Sequence, residues 1–181
     1  NYIGRIMKNR VEAPINCLFQ GCYNPQFEEE IAKYKDKCFE YNKLNPNDRQ
    51  SQRKMLEEIL GNMGKEVMIT PPFWCDYGYN ISVGDYFYSN HKMIVTDGAR
   101  VSFGDNVFVA PNCCFTTAEH AIDPQQRKAG MEIAKPITIG NNVWIGIVLP
   151  APIQTLLTDY NRQQRLDRSR KHYSRGCNNR R

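Results

Sequence analysis

The sequence has no run of about 18 apolar residues, which excludes an α-helical membrane span, and a membrane partner is not expected. Its opening, Asn1-Tyr2-Ile3-Gly4-Arg5, lacks the basic-then-apolar layout of a secretory signal, so the expected compartment is the cytoplasm. The first residue is not methionine, and a short leader upstream of Asn1 is compatible with the sequence. Cys-x-x-Cys pairs and zinc-type Cys/His spacings are also missing, although there are seven cysteines, at 17, 22, 38, 75, 113, 114 and 177. That odd, scattered set reads as reduced packing thiols, with neither a disulfide framework nor a metal site. The neighbours Cys113 and Cys114 would point to opposite faces of a strand. Histidine is scarce: His91, His120 and His172 are all there is.

Charge is unevenly placed. Residues 161–181 hold eight Lys/Arg and one acidic residue, whereas residues 1–160 hold 16 basic and 18 acidic. The net charge of +5 therefore belongs to the tail, and the rest is near neutral. The tail has no aromatic residue beyond Tyr173 and no helical amphipathy, so nucleic acid is not an expected partner. With 41% hydrophobic and 24% charged residues, the chain as a whole is globular in type rather than disordered.

Two periodicities divide what remains. Phe27, Ile31, Tyr34, Cys38 and Tyr41 recur at steps of four and three and lay one apolar stripe along a helix. A second helix is expected from a cap at Asp48 through Met55, Leu56, Ile59 and Leu60, ending at Gly61, with Asn45-Pro46-Asn47 as the turn between the two. After Pro71-Pro72 an apolar residue appears at every sixth position: Ile81, Phe87 and Met93, then after a slip Val95, Val101, Val107 and Cys113, then Ile137 and Val143. Three hexads share a form, Ile-Ser-Val-Gly-Asp-Tyr (81–86), Val-Ser-Phe-Gly-Asp-Asn (101–106) and Ile-Thr-Ile-Gly-Asn-Asn (137–142). Very short strands wound into a parallel β-helix account for this, with the first residue inward and Gly-Asx turning the chain. The competing arrangement is an antiparallel β-sandwich with regular turns. Between Phe115 and Ile137 the six-residue register breaks, and an insertion in a rigid solenoid is where function tends to sit.

The segments PPFWCDYGYNISVG (71–84), TDGARVSFGDNVFVAPN (96–112) and TAEHAIDPQQRKAG (117–130) followed by KPITIGNNVWIG (135–146) resemble the maltose and galactoside acetyltransferases, sugar O-acetyltransferases of the hexapeptide-repeat class. The resemblance covers roughly residues 20–146. It implies a mainly β protein, a left-handed parallel β-helix with an N-terminal α-helical hairpin, assembled as a homotrimer with acetyl-CoA as co-substrate between subunits and no metal. On this reading residues 1–64 are the helical segment, 65–146 the β-helix with an inserted loop at about 116–136, and 147–181 an aberrant tail.

Moving an acetyl group from a thioester to a sugar hydroxyl needs a base, and imidazole, ionising near pH ~6.5, suits the task. His120 fills the family's catalytic position, and the resemblance makes it the base. Asn90 matches the polar residue near the reacting centre and is assigned to the acceptor or the oxyanion. Asp76, Tyr88 and Asp97 match positions that line the sugar pocket, with Glu132 at the end of the insert as a further acceptor residue. Asn24 stands where the family has an acidic sugar ligand. Trp144 and Gly146 belong to the start of the acetyl-CoA surface.

After Gly146 the resembling proteins continue through further hexads, and this chain does not. Residues 147–181 read as a disordered or frameshifted tail. Codons allowed for Arg170-Lys171-His172-Tyr173-Ser174, shifted by one nucleotide, can spell Gly-Asn-Thr-Ile and a small residue. The competing function is thus an inactive, truncated or frameshifted β-helix remnant, acting at most in oligomerisation or binding.

Overall fold

The computed structural model describes residues 17–146; the expectations for 147–181, His172 and Cys177 included, lie outside the described residues. After a short strand β1 (Leu18–Gln20), Asn24 and Asp48 open the helices α1 (Pro25–Lys43) and α2 (Arg49–Ile59). Each caps its helix through the side chain, Asn24 accepting from the Gln26 N–H at 3.1 Å and Asp48 from the Ser51 N–H at 3.0 Å. Pro25 follows at the first helical position, where a missing N–H costs nothing. The stripe of α1 buries Phe27, Tyr34, Cys38 and Tyr41, with Ile31 partly covered. Helix α2 stops before Gly61, with Leu60 as its C-cap. Gly61 is needed for another reason: a Cβ there would lie 2.0 Å from the Tyr79 carbonyl oxygen.

From here strands of two to four residues follow one another: β2 (Asn62–Met63), β3 (Met68–Ile69), β4 (Phe73–Cys75), β5 (Ile81–Val83), β6 (Tyr88–Ser89), β7 (Met93–Thr96), β8 (Val101–Phe103), β9 (Phe108–Val109) and β10 (Cys114–Thr116). Then β11 (Ala118–His120), α3 (Pro124–Lys128) and β12 (Met131–Ala134) interrupt, before β13 (Ile137–Ile139) and β14 (Trp144–Ile145). Every third strand of the regular series shares a sheet, giving three parallel faces: β2-β5-β8-β13, β3-β6-β9-β14 and β4-β7-β10. Among the described residues the antiparallel pairings are those of β1, β11 and β12, so the sandwich alternative fails.

Of the first residues of the hexads, Ile81, Phe87, Met93, Val101 and Val107 are fully buried, as the six-residue period predicts, and Cys113, Ile137 and Val143 are partly buried. The third residues Val83, Ser89, Val95, Phe103 and Val109 are buried too, because residues i and i+2 of a strand share a face. The slip at Val95 is therefore a change from first to third position. Aromatic rings meet inside the coils across different faces, Phe87 against Phe103 of the next coil at 5.1 Å and Phe103 against Phe115 of its own coil at 5.0 Å between ring centroids. Each such buried side chain contributes about 1.5–3 kcal/mol.

The Gly-Asx pairs work differently from the expectation. The left-handed backbone falls on the sixth residue, Tyr86, Asn106 or Asn142, with φ of 57°, 53° and 59°, and not on the glycine. The Asx side chain ties one coil to the one before it: Asp85 accepts from the Lys65 N–H, Asp105 from the Asp85 N–H and Asn141 from the Asp105 N–H, all at 2.8 Å. Glycine leaves room for that ladder, since a Cβ at Gly84 would meet Asp105 Oδ1 at 2.4 Å and one at Gly104 would meet Asn141 Oδ1 at 2.1 Å.

Pairing registers locate the insertion. Ile81 pairs with Val101 and Phe73 with Met93, a spacing of 20, but Val101 pairs with Ile137. Three strands of six residues account for 18, so each coil already carries a widened corner, after β4 and again after β7. The inserted hairpin is the third appearance of that same corner, enlarged.

Candidate active site

Three stacked corners build the site. In the first, Asp76 is half-buried; burial holds its carboxyl above the usual carboxylate range, Lys35 opposes that rise and the Glu132 carboxylate adds to it. In the second, Asp97 is fully enclosed, and its Oδ1 accepts from the Asp76 N–H at 3.0 Å and the Tyr77 N–H at 2.9 Å. Its Oδ2 is buried with no hydrogen-bond partner, and burial raises its pKa to about 6. Asp97 therefore sets the backbone under Asp76 and is buried within this chain. In the third, Thr117 occupies the equivalent place, donating to the Thr96 carbonyl at 2.8 Å and accepting from the Ala99 N–H at 2.9 Å.

Thr117 launches the insertion. Strands β11 and β12 pair antiparallel so that His120 lies opposite Glu132, and β1 pairs with the far edge of β12 with Phe19 opposite Glu132. Between them Asp123 caps α3 through hydrogen bonds from the Gln125 and Gln126 N–H groups, both 2.9 Å. Arg127 donates to the carbonyls of Ala121 and Ile122 at 3.0 and 2.9 Å, which fastens the turn. Gly130 closes it in the left-handed region at φ 76°, and its carbonyl accepts from the N–H groups of Gly21 and Cys22, both 3.1 Å.

His120 is 62% exposed and Glu132 18%, and His120 Nδ1 stands 3.4 Å from Glu132 Oε1. At that distance the contact is electrostatic rather than a good hydrogen bond. The same Oε1 accepts from the Cys22 thiol at 3.0 Å, and this bond, then burial, push that thiol up to about 11. Nothing local in the sequence announces Cys22, which is 98 residues from His120; its signal is the strand β1, which the helical reading of residues 1–64 did not contain. The other thiols bear out their packing role only in part: Cys38 and Cys75 are buried with sulfurs 3.5 Å apart and Cys113 packs on the core, but Cys17 and Cys114 are exposed.

The remaining predicted residues are elsewhere. Asn24 uses its side chain to cap α1. Tyr88 projects from β6 with its ring 6.0 Å from Phe108, which pairs in register with Trp144 on β14. Phe108 and Trp144 are exposed, so an aromatic ladder runs up this face. Asn90, just after β6, accepts from the His91 N–H at 2.7 Å, and His91 itself contacts the Pro71 carbonyl. Gly146 is exposed beyond β14. Among the described residues no hydrogen bond or ion pair joins Asn90 or Tyr88 to His120. A cleft of about 290 Å³ lined by Lys35, Trp74, Cys75, Asp76, Ile94 and Val95 adjoins the corner stack. A larger one, about 370 Å³, is lined from Tyr41 and α2 to Ile69 and shares no residue with the site.

A three-faced parallel β-helix with a histidine-bearing hairpin at one corner defines a hexapeptide-repeat protein. The Maltose acetyltransferase hexapeptide capping motif matches residues 18–64. YJL218W of Saccharomyces cerevisiae is 46% identical over 129 residues, which cover 71% of this chain and 66% of that one. Nodulation protein L of Rhizobium leguminosarum bv. viciae is 35% identical over 130 residues, 70% of this chain and 68% of its own. The solved structure of a galactoside acetyltransferase in complex with coenzyme A superposes with a TM-score of 0.67 at 32% identity, over 71% of this chain and 64% of that chain. The chain belongs to the hexapeptide-repeat acetyltransferase family of the maltose and galactoside type. It spans about two thirds of the length of the relatives it matches.

Proposed function

We propose that this chain is an acetyl-CoA-dependent O-acetyltransferase acting on a sugar hydroxyl of the maltose or glucose type, with His120 as general base. The observation that carries this is the pairing of His120 with Glu132 on the hairpin that, among the described residues, leaves the coils. With Nδ1 turned to the Glu132 carboxylate, Nε2 is the nitrogen left to take the hydroxyl proton. The oxygen then attacks the thioester carbonyl, the C–S bond breaks, and the imidazolium returns the proton to the departing thiolate. Asn90 donates to the carbonyl oxygen as it gains charge. Asp76, Tyr88, Glu132 and Asn24 bind the acceptor, with Asp97 acting through the backbone of Asp76. Trp144 and Gly146 open the acetyl-CoA surface, the ligand type named for the coenzyme A complex.

His120 and Asn90 lie on different parts of one chain, which supports a site completed in a homotrimer by a neighbouring subunit. The winding is left-handed, and α1 and α2 form the helical hairpin that caps the first coil. The same reading divides the chain at about residues 64 and 146. No helix among the described residues is long and apolar enough to cross a membrane, and the cytoplasm, which holds acetyl-CoA, is the proposed compartment.

Thiol release from acetyl-CoA with a panel of sugars tests the proposal. Turnover with a glucosyl or maltosyl acceptor that falls about 10²–10⁴-fold in His120→Ala supports it; turnover unaffected by that change refutes the assignment of the base. A second reading is favoured by the end of the hexads at Gly146: a remnant that oligomerises or binds without catalysing. Failure of this chain to bind coenzyme A would support the remnant.

A further inference from the structure

The sulfur of Cys22, a carboxylate oxygen of Glu132 and a ring nitrogen of His120 all lie within 4.8 Å of one another, although they come from three separate strands or turns. We propose that these three side chains form a binding site for a thiophilic divalent cation, with Zn²⁺ as the natural probe, and that occupancy removes His120 from use as a base. The second half rests on the function proposed above; the first does not.

Ligand type and spacing carry the inference. Zn²⁺ takes thiolate sulfur at ~2.3 Å and imidazole nitrogen or carboxylate oxygen at ~2.0–2.2 Å, which puts neighbouring ligands of a tetrahedral ion about 3.3–3.8 Å apart. The 3.4 Å from His120 Nδ1 to Glu132 Oε1 is already in that range; the 3.0 Å from Cys22 Sγ to the same oxygen, and the sulfur–nitrogen separation, which is within 4.8 Å, reach it by side-chain rotation. Three protein ligands and one position left for water is the arrangement of an open site.

The backbone holds the set in place. Glu132 is on the central strand β12, His120 opposite it on β11, and the segment after β1 is tied down by the two bonds from Gly21 and Cys22 to the Gly130 carbonyl. Gly21 allows the close approach: a Cβ there would lie 2.0 Å from Glu132 Oε2. In the metal-free protein the thiol proton occupies the gap by bonding to the carboxylate. On binding, the S–H bond is broken and the proton leaves to solvent, the thiolate and carboxylate then sharing the cation's charge. His120 Nδ1 becomes the third ligand. The site is inhibitory in this account, and acetyl transfer itself needs no metal.

Titration of the full chain with Co²⁺, in the presence of a phosphine reductant, reads the site directly. The expected result is a thiolate-to-cobalt charge-transfer absorption that saturates at one equivalent and is displaced by Zn²⁺. It should vanish in Cys22→Ser and persist in Cys17→Ser and Cys114→Ser, the exposed thiols among the described residues, and in Cys177→Ser. Glu132→Gln and His120→Ala should each weaken binding by about tenfold or more, since even outer-shell changes reach that size. Absorption that survives Cys22→Ser, or affinity unchanged by His120→Ala, overturns the site. Where acetyl transfer is measured, Zn²⁺ should inhibit at concentrations matching its displacement of Co²⁺, and Cys22→Ser should raise the inhibitory concentration about tenfold or more. Tight binding without inhibition would retain the site and reject its effect on His120.

Discussion

The coils and the hairpin that interrupts them follow different rules. In the coils one set of side chains is used repeatedly: an apolar first and third residue inward, a glycine that lets the next coil approach, an Asx that ties it down. Cooperation is with nearest neighbours only, so a defect is felt in the coil above and the coil below. In the hairpin of residues 117–134 no such repetition exists. Its turn is fastened by single-use contacts, Asp123 on α3 and Arg127 on two carbonyls, and Ile122 is 94% exposed at its tip. The difference is between a scaffold whose stability is shared and a loop whose exposed polar groups are free for chemistry, and it predicts that changes in the two regions have separable consequences.

The largest expected effect on stability comes from breaking the coil core. Phe87→Ala removes a fully buried ring packed against Phe103 and should cost about 3–5 kcal/mol in urea unfolding; a loss below 1 kcal/mol would mean the coils do not share their core as described. The buried Asp97 comes next. Its native pKa of about 6 lies above the ordinary value of 3.8, so the unfolded chain gives up this proton first. Stability attributable to Asp97 is full below about pH 4 and is lost as pH rises towards 6, by up to about 3 kcal/mol. Asp97→Asn keeps an acceptor for the two amides and abolishes that slope: its stability relative to wild type should climb between pH 4 and pH 7. A difference that stays flat across that range would contradict the burial argument. Gly104→Ala presses a methyl group on Asn141 and should cost about 1–3 kcal/mol, measured the same way. At the small end, Ile122→Ser at the hairpin tip should change thermal stability by less than about 0.5 kcal/mol.

Legibility in the sequence followed the same division. The six-residue period located the inward residues, and the 3.6-residue period located α1 and α2, because burial imposes those periods on every coil and every turn; the Asp48 cap of α2 was legible, whereas the Asn24 cap of α1 was not. What turns the corner was misplaced: sterics put the left-handed residue at Tyr86, Asn106 and Asn142, while the glycines serve a neighbour about 20 or 36 residues on, which no local pattern displays. The hairpin was found as a break in register, yet its internal pairing was not, since His120 and Glu132 meet through an antiparallel ladder and Cys22 arrives from strand β1 far upstream. Asp97 was read as a pocket residue from resemblance; its enclosure in the corner stack, where it accepts from the Asp76 and Tyr77 N–H groups, had no local signal in the sequence.

The most direct test of a shared scaffold carrying a separable chemical hairpin is to measure acetyl transfer and unfolding free energy together for His120→Ala. The account predicts activity down about 10²–10⁴-fold with stability within about 0.5 kcal/mol of wild type. Loss of stability in step with loss of activity, or activity retained, would contradict it.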